Sequence, residues 1–256
     1  MAEFEREVEG RLNEAAGNSD LRSSASAFME RSIAAKYSYN WFWMGRPIIQ
    51  YPQDICAMQE LVWRVRPDVI VETGIAHGGS LVLSASLLAM LDLCDATEAG
   101  VVLDPTRPQR RVVGVDVDIR PHNSTAIEAH PMAKRITMVQ GSSIDPGVVA
   151  QVQAAVGDAK TVLVCLDSNH THDHVLAELE AYGPMVSVGS YCVVFDTVIE
   201  NLPHDTYADR PWGVGDSPMT AMRSYLDSDT GFVIDRQMDA RLQISVAPNG
   251  YLRRVR

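Results

Sequence analysis

The chain has 256 residues, 46% of them hydrophobic, which is enough to bury the core of one α/β domain. Its formal net charge of −11 excludes nucleic acid as an expected partner, because phosphate binding needs clustered Lys and Arg. The start Met1–Arg6 is too polar for a secretory signal, and we identify no apolar run that approaches the length of a membrane span, so no membrane partner is expected.

The cysteines favour a reducing compartment. The four of them, Cys56, Cys94, Cys165 and Cys192, are scattered and form no C-x-x-C pair. Cys165 and Cys192 lie in apolar runs, where a free thiol behaves as a small hydrophobic side chain. We therefore expect free thiols and a cytoplasmic protein.

Residues 1–66 stand apart from the rest of the chain. An acidic helical stretch comes first, followed by the aromatic segment Tyr37–Trp43 and then by Arg46–Pro52. This region is too short for an independent domain, so we predict either a helical cap over the carboxyl edge of a sheet or a contact between the subunits of a homo-oligomer. Residues 67–256 are predicted to form the catalytic domain.

The most informative segment follows the first predicted strand, Val69–Thr73. It reads E-T-G-I-A-H-G-G-S over Glu72–Ser80 and leads into a helical pattern over Leu81–Leu91. A strand, a glycine turn and a helix N-terminus are how Rossmann-type sheets bind nucleotide-like cofactors. The spacing is not G-x-G-x-x-G, and the acid suits the cationic methionine end of S-adenosylmethionine (SAM) better than it suits a pyrophosphate. A tight turn without a ligand is the alternative. The candidate cofactor-binding residues here are Glu72, Gly74, His77, Gly78 and Ser80.

The remaining predicted strands alternate with helical stretches. They are Arg111–Val117, Arg135–Gln140, Thr161–Asp167 and Tyr191–Asp196, with Asp92–Gln109 as an irregular surface insertion. Two late strands, Phe232–Asp235 and Leu242–Ala247, follow the helical segment Pro218–Leu226, and a short end strand follows Pro248-Asn249-Gly250. Near-continuous apolar runs are typical of parallel strands covered on both faces, and a late pair can form an antiparallel edge. The pattern predicts an α/β fold: a Rossmann-like, seven-stranded sheet of the SAM-methyltransferase type with an N-terminal helical and aromatic extension.

The residues at the strand ends matter because ligands of open α/β sheets lie outside the carboxyl ends of the strands. Asp116 ends the second strand, where an acid can bind ribose hydroxyls, with a solvated loop acid as the alternative. The third strand is followed by Gly141, Ser142 and Ser143, and in this fold that turn usually passes the adenine. Ser142 or Ser143 could hydrogen-bond the base, with a plain turn as the alternative.

The densest cluster of titratable residues is Asp167–His174, with three histidines and two aspartates. Its H-x-H-D-H spacing is one residue shorter than the H-x-H-x-D-H signature of metallohydrolases, which argues against such a site. We interpret Asp167 as the ligand of a cation and His170 as a general base for a substrate hydroxyl. Asp196, at the next strand end, could share the cation, and oxygen ligands of this kind suit Mg²⁺. The other two histidines then fall on the following helix as surface or capping residues.

Together these segments resemble the bacterial cephalosporin hydroxylase-like proteins, also called the rhamnosyl O-methyltransferase family. The resemblance covers most of the chain from about Tyr37 onwards. It includes G-x-P-x-x-Q-x-P-x-D over Gly45–Asp54, the Glu72–Ser80 turn, Asp116, Gly141-Ser142-Ser143, Asp167-x-x-His170, Asp196-Thr197, Arg210-Pro211-Trp212 and Pro248–Leu252. It implies a SAM-binding Rossmann fold and Mg²⁺-dependent O-methylation of sugars or related natural products.

The resemblance also implies roles for individual residues. Carried over by position, Glu72, Gly74, Gly78 and Asp116 would hold the cofactor, Asp167 and Asp196 would hold the metal, and His170 would be the base. One departure matters, because related methyltransferases have Glu-Asp at the end of the fifth strand, where this chain has Phe195-Asp196. Glu200 or water could replace the missing ligand.

We therefore predict a SAM-dependent O-methyltransferase that acts with Mg²⁺ on a hydroxyl of a sugar or small natural product. Mg²⁺ at Asp167 and Asp196 would lower the pKa of the hydroxyl, and His170 would accept its proton. Two alternatives stay open. One is an Fe(II)-dependent hydroxylase with ligands from Asp167–His174, and the other is a catalytically silent module that binds the cofactor or a partner enzyme.

Overall fold

A seven-stranded sheet lies at the centre of the fold in a computed structural model that describes residues 1–256. The strands are β1 (Trp41–Trp43), β2 (Arg46–Ile48), β3 (Val69–Thr73), β4 (Arg111–Asp116), β5 (Ile136–Gln140), β6 (Val162–Leu166), β7 (Tyr191–Val194), β8 (Phe232–Ile234) and β9 (Tyr251–Arg254). The helices are α1 (Ala2–Gly17), α2 (Ser19–Ala34), α3 (Pro52–Val65), α4 (Gly79–Ala99), α5 (Pro121–Glu128), α6 (Pro146–Val156), α7 (His172–Tyr182), α8 (Pro218–Leu226) and α9 (Arg236–Leu242).

The order of the strands brings the functional segments to one edge. The sheet order is β5-β4-β3-β6-β7-β9-β8, and β1 and β2 form a separate hairpin. The first five strands of that order are parallel, whereas β9 runs antiparallel to β7 and to β8. Thr73 lies level with Val115 on one side and with Leu166 on the other, so β4, β3 and β6 end at the same edge. The predicted Rossmann-like sheet with an antiparallel edge is confirmed.

Helices cover the sheet on both faces. Every residue of β3 and β6 is buried, and alternate side chains of a strand point to opposite faces. Ile70 packs in the cluster that contains Leu88 of α4, whereas Val71 packs in the cluster that contains Leu179 of α7. The near-continuous apolar runs of these strands therefore follow from their position inside three layers.

Local sequence signals set several helix starts. The Asp145 side chain accepts hydrogen bonds from the first backbone N–H groups of α6. At α8, Ser217 and Thr220 form a reciprocal capping box, and Pro218 occupies the first turn, where its missing N–H has no consequence. Both helices begin directly after loops at the carboxyl side of the sheet, so these caps help to fix the loops.

The predicted strand Leu242–Ala247 is wrong. Leu242 ends α9, and the loop that follows binds the carboxylate of Asp54 in α3. The Ser245 hydroxyl donates to Asp54 Oδ1 at 2.6 Å, and Val246 N donates to Oδ2 at 3.0 Å. The backbone N–H of Val246 thus donates to a side chain of a distant helix and not to a neighbouring strand. A local sequence pattern cannot predict such a contact.

Helix α4 corrects two further expectations. It runs to Ala99, through the first half of the expected surface insertion Asp92–Gln109, because Asp92 is buried and ion-paired with Arg110 and Arg135. By length and composition it is also apolar enough to cross a membrane, contrary to the expectation that no run approaches that length. In the fold, 67% of its apolar window is buried, as in the core helix of an α/β domain.

The N-terminal extension reaches the carboxyl edge of the sheet through its second half. No residue of α1 is buried, whereas α3 buries Leu61 and Val62 in the main core. Arg46 of β2 donates from Nε to the backbone carbonyl of His77 at 2.9 Å. The hairpin is therefore fixed to the glycine turn, and the residues after it lie beside that turn.

Candidate functional site

The glycine turn after β3 passes very close to its neighbours. Gly74 has a φ of +91° and Gly78 a φ of +81°, both in the left-handed region. A Cβ on Gly74 would overlap the backbone carbonyl of Asp167, and a Cβ on Gly78 would overlap the side chain of Ile127. The turn needs glycine at both positions for conformation and for space.

Asp116, at the end of β4, is bonded to this turn. Its Oδ2 accepts from Ile75 N at 2.8 Å and from Ala76 N at 3.1 Å, and its Oδ1 accepts from Asp118 N at 3.0 Å. The acid and the turn thus form one unit at the sheet edge. An ionised carboxylate has about four acceptor positions, so about one is left for a ligand.

The other predicted turn residues differ in their roles. The carbonyl of His77 accepts from Nε and Nη2 of Arg46 at 2.9 and 2.5 Å, so His77 contributes through its backbone to the link with the hairpin. Ser80 lies in the first turn of α4 and lines a cavity together with Glu72. The structure therefore brings Ser80 to the predicted cofactor carboxylate.

Glu72 is a buried carboxylate with an unpaired oxygen. Its Oε2 accepts from Ser84 Oγ at 3.5 Å, but Oε1 has no hydrogen-bond partner. Burial raises the pKa of Glu72 to about 7. An unpaired acceptor in the protein interior is costly, so this oxygen fits a ligand that brings a hydrogen-bond donor.

A cavity of about 20 Å³ adjoins Glu72, which is room for a water-sized group. Its polar walls include Gln50, Asp54 and Asp167, and its apolar walls include Met58 and Phe195. No Lys, Arg or His lines it. The cavity therefore suits a cationic or neutral donor on an apolar stem and disfavours an anion.

Asp167, His170 and Asp196 come together beyond the ends of β6 and β7. Their ligand atoms lie within 4.8 Å of one another. His170 Nε2 is 3.2 Å from Asp196 Oδ2, and Gln50 Nε2 donates to Asp167 Oδ2 at 3.3 Å. Asp196 has a φ of +54°, a conformation that is uncommon outside glycine and that clusters at functional sites.

The charges of this cluster favour a cation. Burial, and then the neighbouring charge of Asp196, raise the pKa of Asp167 well above its usual range. A divalent cation between the two carboxylates would remove that repulsion, and carboxylate oxygens are preferred ligands of Mg²⁺. The two carboxylates therefore fit Mg²⁺, and the imidazole of His170 lies beside them.

Glu200 is not brought into this cluster. Its Oε2 accepts from Ser217 Oγ at 2.7 Å and from Gly215 N at 3.0 Å, so it fixes the loop before α8. Phe195 is buried and forms a wall of the cavity beside Glu72. The position where the family resemblance predicts a carboxylate thus contributes apolar surface here, and no further Asp or Glu joins the cluster.

The other two histidines of the segment lie elsewhere. His172 opens α7 with Nδ1 2.9 Å from Thr220 Oγ1. His174 Nε2 lies 3.0 Å from Ser143 Oγ and 3.6 Å from Glu178 Oε1, a partly buried polar network rather than the predicted surface or capping position. Since one histidine joins the cation cluster, a site with two histidines and a carboxylate for Fe(II) is not assembled.

The turn after β5 is held by the same network. Tyr182 Oη donates to the carbonyl of Ser143 at 2.8 Å, and the carbonyl of Ser142 accepts from Asp145 N at 3.0 Å. Both serines stand at the carboxyl edge, as predicted for an adenine-contacting turn. The hydroxyl of Ser143 already has a partner inside the protein, which leaves Ser142 as the freer of the two.

Trp212 covers the histidine of the cation cluster. The rings of Trp212 and His170 meet edge to face, with centroids 4.7 Å apart, and the Arg210 guanidinium lies 5.5 Å from the Trp212 ring. The loop between β7 and α8 thus closes one side of the site. Gln50 is a polar neighbour for which the sequence predicted no role. The only available signal was the place of Gln50 in the G-x-P-x-x-Q-x-P-x-D pattern.

Comparison with known proteins identifies the family to which the chain belongs. A family model described as rhamnosyl O-methyltransferase/CmcI matches residues 35–255. A rhamnosyl O-methyltransferase of Mycobacterium tuberculosis (strain ATCC 25618 / H37Rv) is 26% identical over 215 residues, covering 82% of this chain and 76% of that protein. The Mycobacterium leprae (strain TN) protein of that name is 23% identical over 235 residues, covering 86% of this chain and 90% of that protein.

Among solved structures, a CmcI structure described as its Mg–SAM form aligns with a TM-score of 0.55 and 19% identity, over 85% of this chain and 78% of that chain. A CmcI apo-structure aligns with a TM-score of 0.54 and 18% identity, over 85% of this chain and 77% of that chain. At these identities the likeness establishes the fold.

Proposed function

The chain belongs to the rhamnosyl O-methyltransferase/CmcI family and is a SAM-dependent methyltransferase, and from this premise we propose that it methylates a hydroxyl group of a sugar, with a rhamnosyl unit as the first candidate. The relatives named rhamnosyl O-methyltransferase support that acceptor class. The observation that carries the proposal is the meeting of His170, Asp167 and Asp196 beside the buried carboxylate of Glu72, whose Oε1 has no partner.

The cofactor is held by the glycine-turn side of the site. Glu72 Oε1 would accept from the cationic end of the methionine portion, and the remaining acceptor position of Asp116 would bind a ribose hydroxyl. Ser142 lies on the turn that suits the adenine. When bound, SAM supplies an electrophilic methyl group on a sulfonium sulfur, so this chain has to align the acceptor and remove its proton.

Mg²⁺ is held by Asp167 and Asp196. The raised pKa of Asp167 and the proximity of the two carboxylates support a cation at this place. When bound, the metal lowers the pKa of a coordinated hydroxyl. Glu200 is bonded to Ser217, so water would supply any ligand that the two carboxylates leave open.

His170 is the general base. Its Nε2 faces Asp196 Oδ2, so a proton accepted at the imidazole is stabilised by an adjacent carboxylate. Trp212 packs against the ring and restricts its rotation. The same indole excludes water from one side of the site, which favours transfer to the acceptor over hydrolysis.

A methyl-transfer assay tests the acceptor class. The protein is incubated with methyl-labelled SAM, Mg²⁺ and a panel of acceptors, and the products are separated and weighed by mass spectrometry. The panel contains rhamnosides, other hexosides and a catechol. We expect a methyl ether on a sugar hydroxyl, with rhamnosides preferred. Methylation of the catechol alone would assign the protein to another acceptor class.

The silent-module alternative has one observation in its favour, the phenylalanine at the expected ligand position. Phe195 removes a carboxylate and narrows the site with an apolar wall. If SAM binds and no acceptor or cofactor is consumed over the whole panel, this alternative is supported. Turnover of any sugar acceptor excludes it.

A further inference from the structure

Two buried acceptors without partners share one cavity. Gln50 Oε1 and Glu72 Oε1 are both buried without a hydrogen-bond partner, and both residues line the cavity beside β3. Gln50 itself is only 6% exposed, so bulk water does not satisfy its amide oxygen. Two unsatisfied acceptors at one place are a strong departure from the usual pairing of buried polar groups.

The orientation of the Gln50 amide follows from its other contact. Its Nε2 donates to Asp167 Oδ2 at 3.3 Å, and a carboxylate oxygen is an acceptor, so the amide oxygen is the end left over. Residues before and after Gln50 are anchored through their side chains. Arg46 is bonded to His77, and the Tyr51 hydroxyl lies 2.7 Å from Ser32 Oγ. Gln50 is therefore held in place before any ligand arrives.

The chemistry of the ligand follows from what the cavity lacks. It offers two acceptors, one of them a carboxylate, and no basic side chain, so the complementary group is a cation with several N–H donors. Its volume of about 20 Å³ admits a group the size of water, and Met58, Leu83 and Phe195 surround it with apolar surface. A primary ammonium group meets each of these requirements.

We propose that Gln50 is a cofactor-binding residue whose Oε1 accepts, together with Glu72 Oε1, from the α-ammonium group of the methionine portion of SAM. This inference rests on the proposed function, because it names the partner of an already assigned cofactor. Through Nε2 the same side chain contacts Asp167, so Gln50 links the cofactor subsite to the cation cluster. The N-terminal extension thereby contributes a residue to the site.

The test compares two ligands that differ in the methionine portion. S-adenosylhomocysteine carries the ammonium, whereas 5′-methylthioadenosine lacks the whole amino-acid end. Both are titrated calorimetrically into the wild type, Gln50→Leu and Gln53→Leu. Gln53 is a matched control, because it lies three residues on and does not line the cavity. We expect Gln50→Leu to weaken S-adenosylhomocysteine about ten- to a hundredfold and 5′-methylthioadenosine less than twofold, from the usual value of a hydrogen bond to a charged group.

A double-mutant cycle adds a second measurement. If Gln50 and Glu72 bind the same ammonium, the losses in Gln50→Leu and Glu72→Gln are not additive in the double variant. Gln50→Met, of similar length, serves as the test variant if Gln50→Leu is unfolded by circular dichroism. Equal losses for both ligands, or no loss for S-adenosylhomocysteine, overturn the inference while the proposed function stands. If the wild type binds 5′-methylthioadenosine and not S-adenosylhomocysteine, the inference is wrong. If the wild type binds neither, the proposed function fails.

Discussion

His170 Nε2 lies 3.2 Å from Asp196 Oδ2, so an imidazole that follows β6 meets a carboxylate that follows β7 at the edge of the sheet. In this arrangement Asp196 adopts a left-handed conformation, with a φ of +54°. A backbone conformation of this kind costs about 1–3 kcal/mol and persists where the surrounding structure enforces it. The pair joins the proposed base to the proposed metal ligands.

The first prediction concerns the base. His170→Ala should lower kcat by about 10²- to 10⁴-fold, the usual contribution of a general base, and should leave the affinity for S-adenosylhomocysteine within about twofold. Stopped-time assays and calorimetry measure the two quantities. His172→Ala is the control, because His172 is bonded to Thr220 and lies outside the cluster. If the two variants retain similar kcat values, His170 is not the base.

The second prediction concerns the pH dependence of metal binding. The pKa of Asp167 is raised by burial and by Asp196, and a metal ligand must be ionised. Mg²⁺ binding should therefore release protons and weaken as the pH falls. Calorimetry in two buffers of different ionisation enthalpy measures the release. Asp196→Asn should weaken Mg²⁺ binding, whereas Asp118→Asn, a change at an exposed acid outside the cluster, should not. Binding with no proton release would contradict this prediction.

The third prediction concerns stability in the absence of ligand. The pKa of Glu72 rises on folding from 4.5 to about 7, so the folded state binds more protons than the unfolded state between these values. The contribution of Glu72 to the free energy of unfolding is thus fully present below pH 4.5. It decreases by about 3 kcal/mol as the pH rises towards 7, at 1.36 kcal/mol per pH unit. Glu72→Gln lacks this ionisation.

Chemical unfolding of the wild type and of Glu72→Gln at several pH values measures the effect. The two proteins should differ least near pH 4, and the variant should gain relative stability as the pH rises to 8. The same variant should bind S-adenosylhomocysteine more weakly, because the cavity loses its charge. If the difference in stability between the wild type and Glu72→Gln does not change with pH, the pKa of Glu72 does not rise on folding.

The fourth prediction compares two glycines with positive φ. A Cβ on Gly45 would meet open space, so Gly45→Ala should lower the free energy of unfolding only by the strain of a left-handed backbone, about 1–2 kcal/mol. Gly74→Ala adds an overlap with the Asp167 carbonyl and should cost several kcal/mol more. Urea unfolding compares the two variants. Equal losses would mean that the turn can move away from Asp167.

Much of this arrangement could be predicted from the sequence because it rests on local patterns. Near-continuous apolar runs indicated four of the five parallel strands, and the alternation of strands and helices placed the residues that end or follow the strands at one edge. Asp167, His170 and Asp196 meet there for that reason. The family, the fold class and the methyltransferase activity that were inferred from these motifs are confirmed.

The remaining features depend on contacts between distant segments. The strand expected at Leu242–Ala247 is absent because Asp54 binds its backbone, and α4 extends past Asp92 because two distant arginines neutralise that residue. For Gln50 the sequence offered only its place in the G-x-P-x-x-Q-x-P-x-D pattern. That its amide oxygen lacks a partner and lines the same cavity as Glu72 follows only from the folded structure. The predicted homo-oligomer stays a prediction that light scattering can test.

The most direct measurement is the rate of methyl transfer from SAM to a rhamnoside as Mg²⁺ is added back to protein treated with EDTA. The wild type should be nearly inactive without metal and should recover fully with Mg²⁺, whereas Asp167→Asn should stay inactive at concentrations that saturate the wild type. Full activity in EDTA, or an Asp167→Asn variant that matches the wild type, would contradict a metal-assisted O-methyltransfer at this site.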